Sequence, residues 1–235
     1  MSVVEVEDMT GRKIPKWESE LWSYISQGDG EHCPLYSHCH IRQGGGWCFD
    51  DNRKNIAKLA DCKRFDLSSY DFVKCGTCSG IFKLVEKMAK RYLKKGGVRC
   101  PPAPTELFSL ADNEHPIEAR LLPLKVYHGA IWRLKEGWVI QLKDDASSAS
   151  RRFTLFHEAF HILAHCKATP VFRQRGTKEG SFNELLADYF ATCILMPKEW
   201  VTEKWAEVKD LDRMAEIFDA PKSAMCVRLK RLGLI

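Results

Sequence analysis

The segment His157-Glu158-Ala159-Phe160-His161, set in the apolar stretch RRFTLFHEAFHILAHC, constrains this chain more than any other feature. The stretch predicts a helix, on which residues four apart share one face, so both imidazoles can reach one metal ion. Glu158 lies beside them, where its carboxylate can take a proton from water that the metal activates. Chance can produce so short a match, but buried histidines need partners, and a metal supplies one. The pattern therefore predicts a catalytic zinc site with His157 and His161 as ligands and Glu158 as general base.

A third protein ligand is expected from the next predicted helix, in the segment SFNELLADYFATCILMP. Glu184 is our candidate ligand, because a catalytic zinc needs three protein ligands and this helix has an apolar face. Asp188 follows one turn later, where its carboxylate can accept the free N–H of a ligating histidine, with His157 as the expected donor. Two alternatives stay open. Ser181 and Glu184 also fit a helix capping box, and His165 is a rival ligand.

The order of these segments resembles the ImmA/IrrE family of metallopeptidases. The resemblance covers roughly residues 85–235 and depends on a strand pair, RRFTLFHEAFHILAH and NELLADYFATCILMP. Family members usually have Asn where this chain has Asp188. The resemblance implies a site-specific endopeptidase that cleaves a helix-turn-helix repressor, often encoded beside it, and so switches on stress or mobile-element genes. Carried over to this chain, it implies Glu158 as the catalytic residue and His157, His161 and Glu184 as the ligands.

The expected fold class is α+β, with a zincin-like peptidase core made of a small sheet and the active-site helices. Three regions are predicted: a Cys-rich metal-binding region over residues 1–80, the peptidase core over 81–208, and a helical segment over 209–235 that resembles a helix-turn-helix. Little periodic structure is visible in the first region apart from a short helical stretch near 52–60. The periodicity elsewhere predicts helices over 81–95, 151–165 and 182–196, two strands within 129–142 around a turn at 135–137, and short helices after 198.

Most of the ten cysteines are crowded into the first region. Thiols in the cytosol stay reduced, so such a cluster favours metal binding over disulfides. The Cys75-Gly76-Thr77-Cys78 segment has the spacing of a zinc knuckle, and a zinc held by four thiolates is our first interpretation. An iron–sulfur cluster is the second, and His32, His38 or His40 could replace a thiolate. The candidate ligands are Cys33, Cys39, Cys48, Cys62, Cys75 and Cys78.

The C-terminal segment supports an alternative function, that of a DNA-associated transcriptional regulator with purely structural zinc sites. Arg228, Lys230 and Arg231 could touch phosphates. The apolar residues between them have the spacing of a packed helix, so we favour packing and substrate docking over DNA binding.

Composition restricts the class of protein without identifying the partner. The net charge is +5, and hydrophobic residues make up 45% of the 235, as is usual for soluble proteins. No apolar run approaches the roughly 20 residues that span a bilayer. The opening MSVVEVEDMT lacks the features of a secretory signal. We therefore expect a cytoplasmic protein that does not bind membranes.

Overall fold

The computed structural model describes residues 5–7, 13–27, 76–125, 128–167 and 182–235. Several predictions lie outside these residues: the helical stretch near 52–60, three candidate histidines and most of the cysteine cluster. Only the backbone of Cys78 is described. The candidate ligands outside the described residues are His32, Cys33, His38, Cys39, His40, Cys48, Cys62 and Cys75.

The described residues form a mixed α/β structure with two small sheets and several helices. The strands are β1 (Glu5–Glu7), β2 (Lys13–Pro15), β3 (Ile117–Leu122), β4 (Gly129–Arg133) and β5 (Trp138–Lys143). The helices are α1 (Lys16–Gln27), α2 (Gly76–Lys95), α3 (Ser148–Lys167), α4 (Phe182–Leu195), α5 (Lys198–Val208), α6 (Leu211–Phe218) and α7 (Lys222–Arg231), with a 3₁₀ helix at Thr105–Ala111. No helix in this part of the chain is long and apolar enough to cross a membrane.

The second sheet has the strand order β3-β5-β4. β4 and β5 form the antiparallel hairpin that the sequence predicts, whereas β3 was not predicted and runs parallel to β5. The central strand directs Trp138, Ile140 and Leu142 into the core, and all three are buried. α3 packs on β4 and β5, so the motif helix covers one face of the sheet.

The two helices that carry the candidate metal ligands confirm the sequence prediction, with small shifts at their ends. α3 begins at Ser148, three residues earlier than predicted, because the Ser147 hydroxyl accepts a hydrogen bond from the Ser150 N–H at 3.2 Å and caps the first turn. α4 ends at Leu195, just before Pro197. The helices pack tightly, and the Phe160 and Phe190 rings lie 5.3 Å apart between centroids.

Residues before the cysteine cluster also belong to this core, which the sequence did not reveal. α1 packs on α2, where Glu18 and Arg91 form an ion pair and Lys87 lies 4.8 Å from the Trp17 ring centre. Trp22 is buried, and its ring lies 6.2 Å from that of Phe160 on the motif helix. In the sequence, residues 28–75 therefore separate two helices that belong to one core.

The C-terminal helices α5, α6 and α7 confirm the prediction of two or three short helices interrupted at Pro221. Arg228 is only 2% exposed, and its Nε donates a hydrogen bond to the Met196 carbonyl at 2.9 Å. This bond satisfies a backbone acceptor at the end of α4 that the helix itself leaves unpaired. The Arg231 guanidinium lies 4.0 Å from the Tyr189 ring centre. These contacts join α7 to the helix that carries Glu184.

Candidate metal centre

The motif helix α3 places the two histidines on one face, as the four-residue spacing predicts. The Nε2 atoms of His157 and His161 lie 3.1 Å apart, and their ring centroids are 4.8 Å apart. Both side chains are largely buried, with 16% and 6% of their surface exposed. Two imidazole nitrogens thus converge on one point near the protein surface.

Glu184 reaches the same point from α4. Its Oε2 lies 3.2 Å from His157 Nε2, and its Oε1 lies 3.2 Å from His161 Nε2. The three residues form a group whose candidate ligand atoms all lie within 4.8 Å of one another. The carboxylate is therefore directed at the histidine pair, as the ligand interpretation requires. Ser181, its proposed capping partner, lies outside the described residues, as does the side chain of the rival ligand His165.

The spacing of these atoms fits a zinc ion. Ligand atoms about 2.0–2.1 Å from a tetrahedral zinc lie roughly 3.3 Å from one another. The separations of 3.1 and 3.2 Å between the donor atoms are close to that value. Two histidines and one glutamate are also a ligand set that catalytic zinc uses, with one position left for water. The residues present therefore fit the metal that the sequence motif implies.

Asp188 supports the site from behind His157. The His157 Nδ1–H donates a hydrogen bond to Asp188 Oδ1 at 2.7 Å, which leaves Nε2 directed at the convergence point. Burial lowers the pKa of His157, but its bonds to Asp188 and Glu184 raise it well above the ordinary value. Burial raises the pKa of Glu184, and its bonds with His157 and His161 bring it well below the usual range. The two carboxylates thus favour a positive charge at His157.

We expect the Asp188→Ala variant to bind zinc about 10–100-fold more weakly, the usual effect of removing a partner that orients a ligating histidine. Asp188→Asn should lose much less affinity, because its amide oxygen can still accept the Nδ1–H bond. Zinc titration against a competing chelator measures both values. Equal affinities for the wild type and the Ala variant would contradict this role for Asp188.

Glu158 lies deep beside the histidines, with 5% of its surface exposed. The edge strand β4 passes directly over it at Gly129. A Cβ atom at Gly129 would lie 3.1 Å from Glu158 Oε1 and would overlap the Thr154 methyl group. Only glycine allows this close approach, so Gly129 sets the distance between the strand and the glutamate. Gly129 is not among the site residues predicted from the sequence, where a glycine opening a strand was the only signal.

A second group of possible ligands, Asp112, Glu114 and His115, precedes β3. Here the Asp112 carboxylate already accepts hydrogen bonds from Trp138 Nε1 at 2.9 Å, His115 Nδ1 at 2.9 Å and the Glu114 N–H at 2.9 Å. These bonds fix the loop to β5. The group therefore has a structural explanation that needs no metal.

The candidate metal ligands lie within a segment that matches a known family of domains. The model of the M78 peptidase family, described as the IrrE N-terminal-like domain, matches residues 112–230, just over half of the chain. No curated protein matches the chain. Among solved structures, a Mycobacterium tuberculosis transcriptional regulator is similar at 15% identity with a TM-score of 0.46. That alignment covers 62% of this chain and 46% of the regulator, so the chain spans about half of that protein's length.

Proposed function

The chain belongs to the M78 peptidase family, and on this basis we propose that it is a zinc-dependent metallo-endopeptidase with Glu158 as its general base. The observation that carries the proposal is the convergence of His157, His161 and Glu184 within 4.8 Å of one another, with Glu158 buried beside them. In this proposal the first three residues hold the zinc, and Asp188 keeps His157 in the ligating tautomer.

The proposed mechanism assigns proton transfer to Glu158. When bound, the zinc acidifies a water molecule and polarises the scissile carbonyl. Glu158 takes the proton of the attacking water and then delivers it to the leaving amine. Its buried position strengthens the electrostatic interactions of its carboxylate, and the nearby Gly129 backbone keeps the strand close to the reacting groups.

The outer edge of β4, as far as the described residues go, offers a place for an extended substrate. The backbone carbonyl of His128 accepts a hydrogen bond from the Lys143 N–H at 3.0 Å, and the Leu134 N–H donates to the Gly137 carbonyl at 2.8 Å. The even-numbered residues of β4 therefore direct their backbone groups toward β5. The backbone groups of Gly129, Ile131 and Arg133 therefore point the other way. No strand in the described part of the chain pairs with that edge. A substrate segment can add there as a strand and pass Glu158.

We propose that the substrate is a helix-turn-helix transcriptional repressor, which is the substrate class that the family resemblance implies. The DNA-binding alternative is less favoured, because two of its three proposed phosphate contacts are already engaged. Arg228 is buried against Met196, and Arg231 packs on the Tyr189 ring. A salt-sensitive gel shift that Glu158→Gln leaves unchanged would favour the alternative.

We also propose a second metal at the cysteine cluster, with zinc as the first choice and an iron–sulfur cluster as the second. This proposal depends on sequence spacing alone. Metal analysis and the visible absorption spectrum of anaerobically purified protein distinguish the two, because an iron–sulfur protein is brown and a zinc protein is colourless.

The test of the proposed function uses the purified chain and the helix-turn-helix repressor encoded nearest to it. We expect cleavage at one site, loss of cleavage after chelation of the catalytic metal, and recovery when one equivalent of zinc is returned. Gel electrophoresis and mass spectrometry of the fragments measure the outcome. Cleavage that continues unchanged in metal-free protein would contradict the proposal.

A further inference from the structure

We infer that Trp132 is a specificity-determining residue that selects a large apolar side chain in the substrate, about three residues on the amino side of the bond that is cut. The inference rests on the proposed function, because it needs a substrate strand on the outer edge of β4. It adds to that function a preference at one position.

Trp132 is a large aromatic residue that is exposed on strand β4. This residue lies opposite Val139 in the β4–β5 pair. Successive side chains of a strand point to opposite faces of the sheet. Gly129 faces Thr154 and Glu158 on α3, so the odd-numbered residues of β4 face α3 and Trp132 is on the other face. Trp132 is 56% exposed, whereas Val139 is 5% exposed. Trp132 therefore presents more than half of its surface to solvent on an edge strand.

The pairing geometry of an incoming substrate strand brings one of its side chains close to Trp132. Because the Trp132 backbone groups point toward β5, an antiparallel substrate strand on the other side meets Trp132 in a pair without backbone hydrogen bonds. Side chains in such pairs are the closest across a sheet, with Cα atoms about 4.5 Å apart. Aromatic residues in these pairs favour aromatic and β-branched neighbours. Of the substrate side chains on this face of the sheet, the one directly opposite Trp132 is therefore the closest to the indole.

The distance along β4 from Gly129 to Trp132 indicates which substrate residue Trp132 contacts. Gly129 lies against Glu158, and Trp132 is three residues farther along β4. A strand rises about 3.3–3.4 Å per residue, so Trp132 lies roughly 10 Å from the catalytic carboxylate along the strand. In an antiparallel substrate, moving from Gly129 toward Trp132 means moving toward the substrate's amino end. With the cleaved bond opposite Gly129, beside Glu158, the selected side chain is about three positions before that bond.

A purely structural role for Trp132 predicts something different. If the indole only protects Val139, its removal lowers the melting temperature and leaves substrate preference unchanged. Selectivity measured on folded, zinc-loaded protein thus separates the two roles.

The experiment uses the zinc-loaded full chain and a library of proteome-derived peptides, with cleavage sites identified by mass spectrometry of the new termini. The variants are Trp132→Ala, Trp132→Phe and the inactive Glu158→Gln. Leu121→Ala is the matched control, because Leu121 is 53% exposed on the opposite edge strand, β3. Synthetic peptides with Phe or Ala at the preferred position then give kcat/KM for each enzyme.

We expect the wild type to prefer Phe at that position, and Trp132→Ala to reduce the Phe-over-Ala ratio of kcat/KM by about fivefold. Trp132→Phe should restore most of the ratio, and Leu121→Ala should leave it unchanged. An unaltered ratio in Trp132→Ala, with Glu158→Gln inactive, overturns this inference alone. Cleavage by Glu158→Gln at the wild-type rate, or failure of the wild type to cleave both the peptides and the repressor, overturns the proposed function and this inference with it.

Discussion

The Glu158→Gln variant is expected to keep its zinc and to cleave peptide bonds about 10²–10⁴-fold more slowly than the wild type. The amide has nearly the shape of the carboxylate, so the buried position beside Gly129 still packs. It cannot take a proton from water, and general acid–base catalysis contributes rate factors of this size. The ligand atoms of His157, His161 and Glu184 are untouched, so metal content should not change.

Cleavage rate and zinc content must be measured on the same preparation of this variant. Glu136→Gln makes the same chemical change at an exposed glutamate in the turn between β4 and β5, so it is the matched control. It should behave like the wild type. A Glu158→Gln variant that cleaves at the wild-type rate would remove Glu158 from the mechanism, and one that loses zinc would make it a metal-site residue instead.

The Glu184→Ala variant is expected to lose both zinc and cleavage. Glu184 supplies the only carboxylate among the three converging residues, and its two oxygens each lie 3.2 Å from a histidine nitrogen. Removal of a direct ligand should weaken zinc binding by more than the roughly 10–100-fold that follows loss of an outer partner such as Asp188. Alanine favours helix, so α4 should remain intact.

Circular dichroism and zinc titration together test this prediction. The matched control is Glu203→Ala, which makes the same change at an exposed position on α5 and should leave zinc affinity unchanged. Retention of wild-type zinc affinity by a folded Glu184→Ala protein would show that another residue is the third ligand, and His165 would become the candidate to test.

The site residues could be predicted from the sequence because each helix carries two of them four residues apart. His157 and His161 are one turn apart on α3, and Glu184 and Asp188 are one turn apart on α4. Each pair shares a face wherever its helix packs. What these spacings do not contain is the distance between the two helices, which depends on core contacts such as that of Phe160 with Phe190.

The missed features depend on tertiary contacts rather than on local pattern. β3 has the sequence IEARLL, which contains good helix formers, and only its pairing with β5 makes it a strand. Trp22 of α1 lies against Phe160, a contact with the motif helix that helical spacing alone does not reveal. The role of Gly129 is visible only once β4 lies over Glu158.

The position of residues 28–75 between α1 and α2 has a consequence for how this protein can diversify. α1 and α2 pack on each other, so the two chain ends that flank this segment are held by one core. We therefore expect changes of sequence there to leave the spacing of α3 and α4 in place, because that spacing depends on contacts such as that of Phe160 with Phe190.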